Sequence, residues 1–134
     1  TFPSSGEVFL SLRESDKQVL LSSIKELRAL GYTFSATNGT AKFLLSQSIE
    51  CEVIKKVHEG RPNCVDRIRS GEIAFVINTT SGRTSIEASA GIRRSCVDFS
   101  IPCLTESDAV EAFVLALKSF RAGNFEVSPL PKLL

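Results

Sequence analysis

The chain has 134 residues, of which 43% are apolar and 23% are charged, a composition typical of one soluble globular domain with its own core. Sixteen lysine and arginine residues against fifteen aspartate and glutamate residues leave a formal net charge of +1. This balance argues against binding of nucleic acid or a membrane surface through bulk charge. The longest apolar run, residues 112–117, is too short to span a membrane.

Residue types that are rare or absent exclude further kinds of site. The chain begins with Thr1 rather than methionine and shows no signal peptide, which indicates a processed chain or a piece of a longer protein. His58 is the single histidine, so a polyhistidine metal site is excluded. The four cysteines lie at positions 51, 64, 96 and 103, and no pair has the C-x-x-C spacing of a zinc or redox site. They are predicted to be small buried side chains in a reducing compartment.

The first half of the chain predicts strands that alternate with helices. Residues 7–13 alternate between polar and apolar side chains, as expected of a strand. Ser15, followed by Gln18 three residues later, predicts a capping box that opens a helix ending at Gly31. The pattern then predicts a strand near 33–36, a helix over about 40–47 and a strand over 50–57.

The second half continues this alternation. The pattern predicts, in order, a loop over 58–64, a helix over about 65–70, a strand over 73–78, a polar loop over 79–82, a helix over about 85–97 and a strand over 102–104. Thr105 and Asp108 predict a cap for a last helix with an apolar stripe. Residues 123–134 include two prolines and are predicted to form an irregular tail.

Five predicted strands therefore alternate with five predicted helices. Alternation at this spacing is typical of parallel β-α-β units with right-handed crossovers. The sequence shows no internal repeat, low-complexity segment or linker. We therefore predict a single doubly wound α/β domain over residues 1–134.

Polar segments follow four of the predicted strands, at residues 13–17, 37–40, 55–57 and 78–83. In such a fold, ligands bind beyond the carboxyl ends of the strands. The pattern Thr-x-Gly-Thr at a helix start suits an oxyanion, because glycine admits a close approach and the first helical N–H groups are unpaired. Lys17, Lys56 and Arg83 would supply positive charge. We predict a phosphate or phosphorylated ligand, although residues 37–40 alone also fit a plain turn and N-cap.

Three segments, at residues 36–41, 56–62 and 77–83, resemble the C-terminal domain of the carbamoyl phosphate synthase large subunit of bacteria. They read ATNGTA, KVHEGRP and INTTSGR, and the resemblance extends from about Val8 to Leu117. It implies a methylglyoxal synthase-like fold, an α/β three-layer sandwich in which a five-stranded parallel sheet has helices on both faces.

The resemblance also implies a function. In that family the domain is allosteric rather than catalytic, has no metal or cofactor of its own, and binds UMP as an inhibitor or IMP as an activator. The parent enzyme uses ATP and magnesium to make carbamoyl phosphate from glutamine and bicarbonate, for arginine and pyrimidine synthesis. The implied partners are the adjoining synthetase domains and the glutaminase small subunit, in the cytoplasm, without nucleic acid or membrane. The sequence does not decide whether the domain forms a homo-oligomer.

Carried over position by position, the family's effector site falls on the polar segments described above. The residues implied to hold the nucleotide phosphate are Lys17, Thr37, Thr40 and Lys56, and those implied to line the ribose and base side are Asn78, Thr79 and Thr80, with Val57 packing nearby. The predicted effector site also includes Gly39, Ser81, Gly82 and Arg83 and, more weakly, Ser89.

Two departures from the family concern its effectors. Ala88 stands where some members have an acidic residue beside Ser89, which predicts an altered nucleotide affinity or an altered preference between UMP and IMP. Cys103 stands on the last strand, where some members have an aromatic residue that contacts ornithine, an activator at a separate site. Ornithine activation is therefore not expected of this chain.

The alternative from a different class is a methylglyoxal synthase, an enzyme that acts on dihydroxyacetone phosphate. Its chemistry needs a carboxylate base in the loop after the third strand and histidines around the substrate. Here Arg61 stands where the aspartate is expected, and Arg13 and Glu14 stand where the enzyme has histidines. The related nucleotide-cyclising domain of purine synthesis is longer and lacks the NTTSGR run. We therefore predict a regulatory domain.

Overall fold

The computed structural model describes residues 6–55, 62–79 and 83–121, with the backbone alone for 83–89 and 121. In chain order its elements are β1 (Glu7–Ser11), α1 (Glu14–Ala29), β2 (Thr33–Ala36), α2 (Asn38–Ser46), β3 (Glu52–Val53), α3 (Cys64–Arg69), β4 (Ile73–Asn78), α4 (Arg83–Asp98), β5 (Cys103–Leu104) and α5 (Ser107–Arg121). None of these helices combines the length and the apolar character that crossing a membrane requires.

The strands form one parallel sheet in the order β3-β2-β1-β4-β5. The strand β1 lies at its centre, between β2 and β4, and the short strands β3 and β5 form the edges. Alternating helices and parallel strands confirm the predicted α/β class and the five-stranded parallel sheet. The predicted irregular tail at 123–134 lies outside the described residues.

Both faces of the sheet are buried because helices cover each of them. On one face Val8 and Leu10 of β1 pack with residues of α1, α2 and α5. On the other face Phe9 packs with residues of α3 and α4. A strand buried on both faces needs a continuous apolar run rather than an alternating one. The strand β4 and residues 8–10 of β1 have this character. The alternation predicted for 7–13 is therefore wrong at Phe9, which is buried on the second face of the sheet.

The start of α1 differs from its prediction. The helix begins at Glu14, and Arg13 rather than Ser15 occupies the N-cap position, without a side-chain capping hydrogen bond. The Arg13 guanidinium instead pairs with the Asp16 carboxylate in the first turn, with 2.8 Å between Nε and Oδ2. The predicted capping box of Ser15 and Gln18 is therefore wrong, because the chain enters the helix two residues earlier.

Other boundaries differ where a tertiary partner decides them. Over the described residues 50–55, the strand β3 is shorter than the predicted 50–57, because only Ser35 and Ala36 of β2 pair with it. The helix α2 begins at Asn38, two residues before its predicted start. The helix α5 begins at Ser107, so the predicted cap at Thr105 is wrong.

The helix α3 opens with a capping box that the sequence analysis missed. The Asn63 side chain accepts hydrogen bonds from the N–H groups of Val65 and Asp66, and the Asp66 carboxylate accepts one from the Asn63 N–H. The signal, Asn followed three residues later by an acid, is legible in the sequence.

The four cysteines are free thiols. Cys64 and Cys96 are buried as predicted, whereas Cys51 and Cys103 are only partly buried. The prediction of four buried cysteines is therefore correct for two of them. The other two lie at the sheet edges, Cys51 directly before β3 and Cys103 in β5, where less of the protein covers them.

Arg67 joins the amino ends of three strands. From α3, its guanidinium donates two hydrogen bonds to the Glu52 carboxylate of β3, at 2.9 and 2.8 Å, and one to Glu7 of β1, at 2.8 Å. Its Nε also lies 3.4 Å from the carboxylate of Glu72, just before β4. The hydrogen bond to Arg67 lowers the pKa of Glu52. Two parallel hydrogen bonds orient the planar guanidinium in a way that lysine cannot reproduce.

We predict that Arg67→Met lowers the free energy of unfolding by about 1–3 kcal/mol at neutral pH, because Glu7, mostly buried, loses its cation. The ordinary pKa of a glutamate side chain is 4.5, and the pair with Arg67 lowers the pKa of Glu52. This pair therefore stabilises the parent chain above pH 4.5, and its contribution is lost as Glu52 becomes protonated at lower pH. The difference in stability between the parent chain and the variant should shrink accordingly. Urea denaturation at neutral and acidic pH measures both effects.

Arg69→Met, on the same helix, is the matched control. Arg69 forms an exposed ion pair with Asp98 and lies 5.5 Å from the centre of the Phe99 ring. Exposed pairs contribute less than about 1 kcal/mol. An equal loss of stability in the two variants would contradict the specific role of Arg67.

Candidate anion-binding site

The segments that follow β1, β2 and β4 lie next to one another at the carboxyl ends of these parallel strands. Hydrogen bonding continues past the strand ends, since the Thr37 N–H donates to the Leu10 carbonyl at 3.3 Å. On the other side of β1 the Thr79 N–H donates to the Ser11 carbonyl at 2.9 Å. The structure therefore brings Thr37 and Thr79 to either side of the end of β1, as the strand-end argument predicts.

Two threonine hydroxyls hold the turn between β1 and α1. The Leu12 N–H donates to Thr40 Oγ1 at 3.0 Å, and the Arg13 N–H donates to Thr79 Oγ1 at 3.2 Å. Both threonines are buried, each 3% exposed. Each hydroxyl accepts one hydrogen bond in this arrangement and keeps its own proton, which it can donate to a ligand.

The first turn of α2 presents backbone N–H groups. Thr37 occupies the N-cap position in an extended conformation, and within the described chain its hydroxyl makes no capping hydrogen bond. The Ala41 N–H donates to the Thr37 carbonyl at 2.8 Å, so the N–H groups of 38–40 precede the first bond of the helix. At Gly39, a Cβ would meet only Lys17 Nζ, 4.0 Å away, among described atoms. The backbone here is open to close approach by an anion.

Lys17 brings an ammonium group to the same helix start. Its Nζ donates to the Gly39 carbonyl at 3.4 Å and to Glu14 Oε1 at 2.9 Å. The Lys17 side chain is 13% exposed, whereas that of Glu14 is 90% exposed. An ammonium has three donors, so it can serve a ligand as well. Glu14 is not among the predicted site residues, although an acid and a base three residues apart in a helix predict such an ion pair.

Asp16 is the second carboxylate in the first turn of α1. It is buried, and its charge is balanced by Arg13, which donates from Nε to Oδ2 at 2.8 Å. Both acidic side chains of this turn, Glu14 and Asp16, are therefore paired with cations.

The predicted site residues divide into three groups. Those that the structure brings to this edge are Lys17, Thr37, Gly39, Thr40, Asn78 and Thr79. Those outside the described residues are Lys56, Val57, Thr80, Ser81 and Gly82, as are His58 and Arg61. Arg83 and Ser89 are described by their backbone alone, the first as the opening residue of α4 and the second in its second turn.

Comparison with known proteins identifies relatives of the whole chain. A family model described as the MGS-like domain matches residues 19–105. The chain is 42% identical over 132 residues to the carbamoyl phosphate synthase large chain of Myxococcus xanthus, covering 98% of this chain and 12% of that protein. It is 43% identical over 128 residues to that of Rhizobium meliloti, covering 96% and 11%. The chain thus spans only about an eighth of the length of these relatives.

A solved structure shows the same architecture. The chain is similar to a methylglyoxal synthase from Elizabethkingia anophelis, with a TM-score of 0.63 over 85% of this chain and 79% of that one. The sequence identity is 21%, so this similarity concerns the fold alone. It confirms the three-layer arrangement that the sequence motifs imply.

The contact between Thr40 and Leu12 gives a test of the site geometry. We predict that Thr40→Val lowers the free energy of unfolding by about 1–3 kcal/mol, because the buried Leu12 N–H loses its acceptor. Thr40→Ser keeps the hydroxyl and should recover most of the loss. Urea denaturation measures both variants. Thr33→Val is the control, since the exposed Thr33 hydroxyl donates to the Gly6 carbonyl at a distance of 3.5 Å. An equal loss of stability in this variant would contradict the role assigned to Thr40.

Proposed function

The chain belongs to the family of MGS-like domains, and we propose from this that it is the regulatory domain of a carbamoyl phosphate synthase large chain, with a nucleoside monophosphate as effector. The observation that carries the proposal is the open first turn of α2, with Lys17 and the Thr40 hydroxyl beside it. Backbone N–H groups, a hydroxyl and an ammonium group there suit one phosphate group. Relatives named carbamoyl phosphate synthase large chain align with 91–98% of the chain.

In this proposal the nucleotide phosphate lies at the first turn of α2. The N–H groups of 38–40 donate to its oxygens, and the absence of a side chain at Gly39 leaves room for them. Lys17 supplies positive charge from α1, and Lys56 supplies more from the segment after β3. Hydrogen bonds to an ionised phosphate are about twice as strong as those between neutral groups.

The nucleoside then extends along the sheet edge towards β4 and the start of α4. Asn78 and Thr79 would meet the ribose and base, because an amide and a hydroxyl each donate and accept hydrogen bonds. Further contacts are proposed for Val57, Thr80, Ser81, Gly82, Arg83 and Ser89. The effectors we propose are UMP as an inhibitor and IMP as an activator at this one site.

The described geometry favours regulation over catalysis. Acid–base chemistry on dihydroxyacetone phosphate needs a carboxylate that is free to take up a proton. In the first turn of α1, Glu14 and Asp16 are paired with Lys17 and Arg13. In the sequence, Arg61 stands at the position expected of the base. These features support a site that binds phosphate without transforming it.

The proposal implies a longer enzyme around this domain. That enzyme would be a cytoplasmic ATP- and magnesium-dependent ligase that makes carbamoyl phosphate from glutamine and bicarbonate, for arginine and pyrimidine synthesis. Its adjoining synthetase domains and a glutaminase small subunit would be the partners. An effector that changes substrate affinity there must itself be bound more or less tightly when substrate is present, and such couplings amount to about 1–3 kcal/mol.

We predict that the chain binds UMP or IMP about tenfold more tightly than inorganic phosphate, and that Lys17→Met weakens nucleotide binding about tenfold. The loss of one charge-assisted hydrogen bond accounts for this factor. Isothermal titration calorimetry with UMP, IMP and phosphate measures the affinities. Lys25→Met removes an exposed cation from the same helix and should leave them unchanged. Equal affinities in the two variants, or methylglyoxal formed from dihydroxyacetone phosphate, would contradict the proposal.

We also predict that Glu14→Gln strengthens phosphate binding about two- to threefold. The carboxylate competes with a bound phosphate for Lys17, and an exposed pair of this kind is weak. The same titration measures the effect, with Glu111→Gln on α5 as the control for charge alone. Weaker binding in Glu14→Gln would instead mean that Glu14 orients the lysine.

A further inference from the structure

Asn38 and Gly39 open the helix α2 at the candidate anion-binding site. Asn38 is the first residue of this helix, after the N-cap residue Thr37, and both Asn38 and Gly39 are exposed. Within the described chain, the Asn38 side-chain amide makes no hydrogen bond. Of the four asparagines in the sequence, Asn38 alone is followed by glycine. The carbonyl carbon of this amide is therefore accessible both to solvent and to the backbone that follows it.

The backbone nitrogen of Gly39 is placed to react with that amide. Glycine has no side chain, so nothing hinders the approach of its nitrogen to the preceding residue. The first hydrogen bond of the helix runs from the Ala41 N–H to the Thr37 carbonyl at 2.8 Å, so the Gly39 N–H has no acceptor within the helix. Ring closure requires Asn38 to leave its helical conformation. This movement falls on the end of the helix, where local opening costs least.

We propose that Asn38 is a site of spontaneous deamidation and that its product closes the anion-binding site, a consequence that rests on the proposed function. The Gly39 nitrogen loses its proton and forms a bond to Asn38 Cγ, and the amide nitrogen leaves as ammonia. Water then opens the resulting succinimide ring at either of its carbonyls, which gives aspartate or isoaspartate. In total, one side-chain amide and one water become one carboxylic acid and one ammonia, without any oxidant or reductant.

The new carboxylate lies where the phosphate is proposed to bind. An anion is favoured at the N-terminus of a helix, so the product carboxylate competes with phosphate for the N–H groups of 38–40. Lys17 is also close, since its Nζ is 4.0 Å from the position of a Cβ on Gly39. The ammonium group can therefore pair with the carboxylate instead of the ligand. Isoaspartate also adds one carbon to the backbone, which displaces the first turn of α2.

A bound phosphate should in turn protect Asn38. The phosphate accepts a hydrogen bond from the Gly39 N–H in the proposed complex, which keeps this nitrogen from reacting. A ligand that binds only the closed first turn of α2 also lowers the population of the open form. The rate of deamidation therefore depends on the occupancy of the site, and the modification marks chains whose site has stayed empty.

The modification is tested by incubation of the 134-residue chain in mildly alkaline buffer, followed by digestion with trypsin and mass spectrometry. Residues 29–42 form one tryptic peptide, which contains Asn38 and no other asparagine or glutamine. We expect it to become heavier by about 1 Da, about tenfold faster than the peptides of Asn63 and Asn78. These two are matched controls, because the Asn63 side chain accepts two backbone hydrogen bonds and Asn78 is buried. Equal rates at the three asparagines would overturn the proposal.

The consequence for binding is tested by titration calorimetry with inorganic phosphate on two variants, Asn38→Asp and Asn38→Gln, which differ in charge. We expect Asn38→Asp to bind phosphate about tenfold more weakly than Asn38→Gln. A cooperative thermal melt verifies that both variants are folded. Equal affinities in the two variants would overturn the closure of the site by its product.

Protection by the ligand is measured in the same incubation. Saturating phosphate should slow the mass increase at Asn38 several-fold, whereas potassium chloride at the same ionic strength should not. An unchanged rate with phosphate bound would overturn the link between deamidation and occupancy. If the parent chain bound no phosphate, the proposed function would fail, and the closure of the site with it. The mass increase at Asn38 is read without any ligand, so the two failures are distinguishable.

Discussion

The way in which the chain leaves its central strand constrains the rest of the fold. Beyond Ser11 the ladder of β1 ends, yet Leu12 and Arg13 carry N–H groups that are partly or wholly removed from water. A buried N–H group without an acceptor costs about 1–3 kcal/mol. Thr40 and Thr79 supply the two acceptors from elements far apart in the sequence. These two contacts together determine where α1 starts, where α2 packs and where the chain passes after β4.

The amino ends and the carboxyl ends of the parallel strands have different functions. At the amino ends of the strands, Arg67 forms ion pairs with Glu7, Glu52 and Glu72. These charged groups therefore stabilise the fold and are not available to a ligand. At the carboxyl edge the first turn of α2 and the ammonium of Lys17 retain donors. A site is precise when rigid elements hold its groups. Fixing the strands at one edge therefore positions the donors at the other.

The sequence predicts the elements whose structure depends on their own residues. The boundaries of β2 and β4 agree with prediction, because β4 is an apolar run and β2 is a short segment between the glycine at the end of α1 and the turn residues at the start of α2. Parallel strands bring their carboxyl ends to one edge, which is why Thr37, Thr40 and Thr79 could be grouped without a structure. The acceptor role of Thr40 towards Leu12 could not be predicted, since it joins residues 28 apart. Such a partner is set by packing and leaves no local pattern.

The proposed effector signal has a short path to the centre of the sheet. The Thr40 hydroxyl accepts from the Leu12 N–H and, in the proposed complex, donates to the phosphate, so one side chain is bonded to both the ligand and the end of β1. Hydrogen bonds in such a chain polarise and strengthen one another. In the same proposed complex the phosphate would compete with Glu14 for Lys17. An effector shifts an equilibrium only as far as it binds the two arrangements with different affinity. In the proposed complex Lys17 would change its partner in the first turn of α1, so this turn is where the free and bound arrangements would differ.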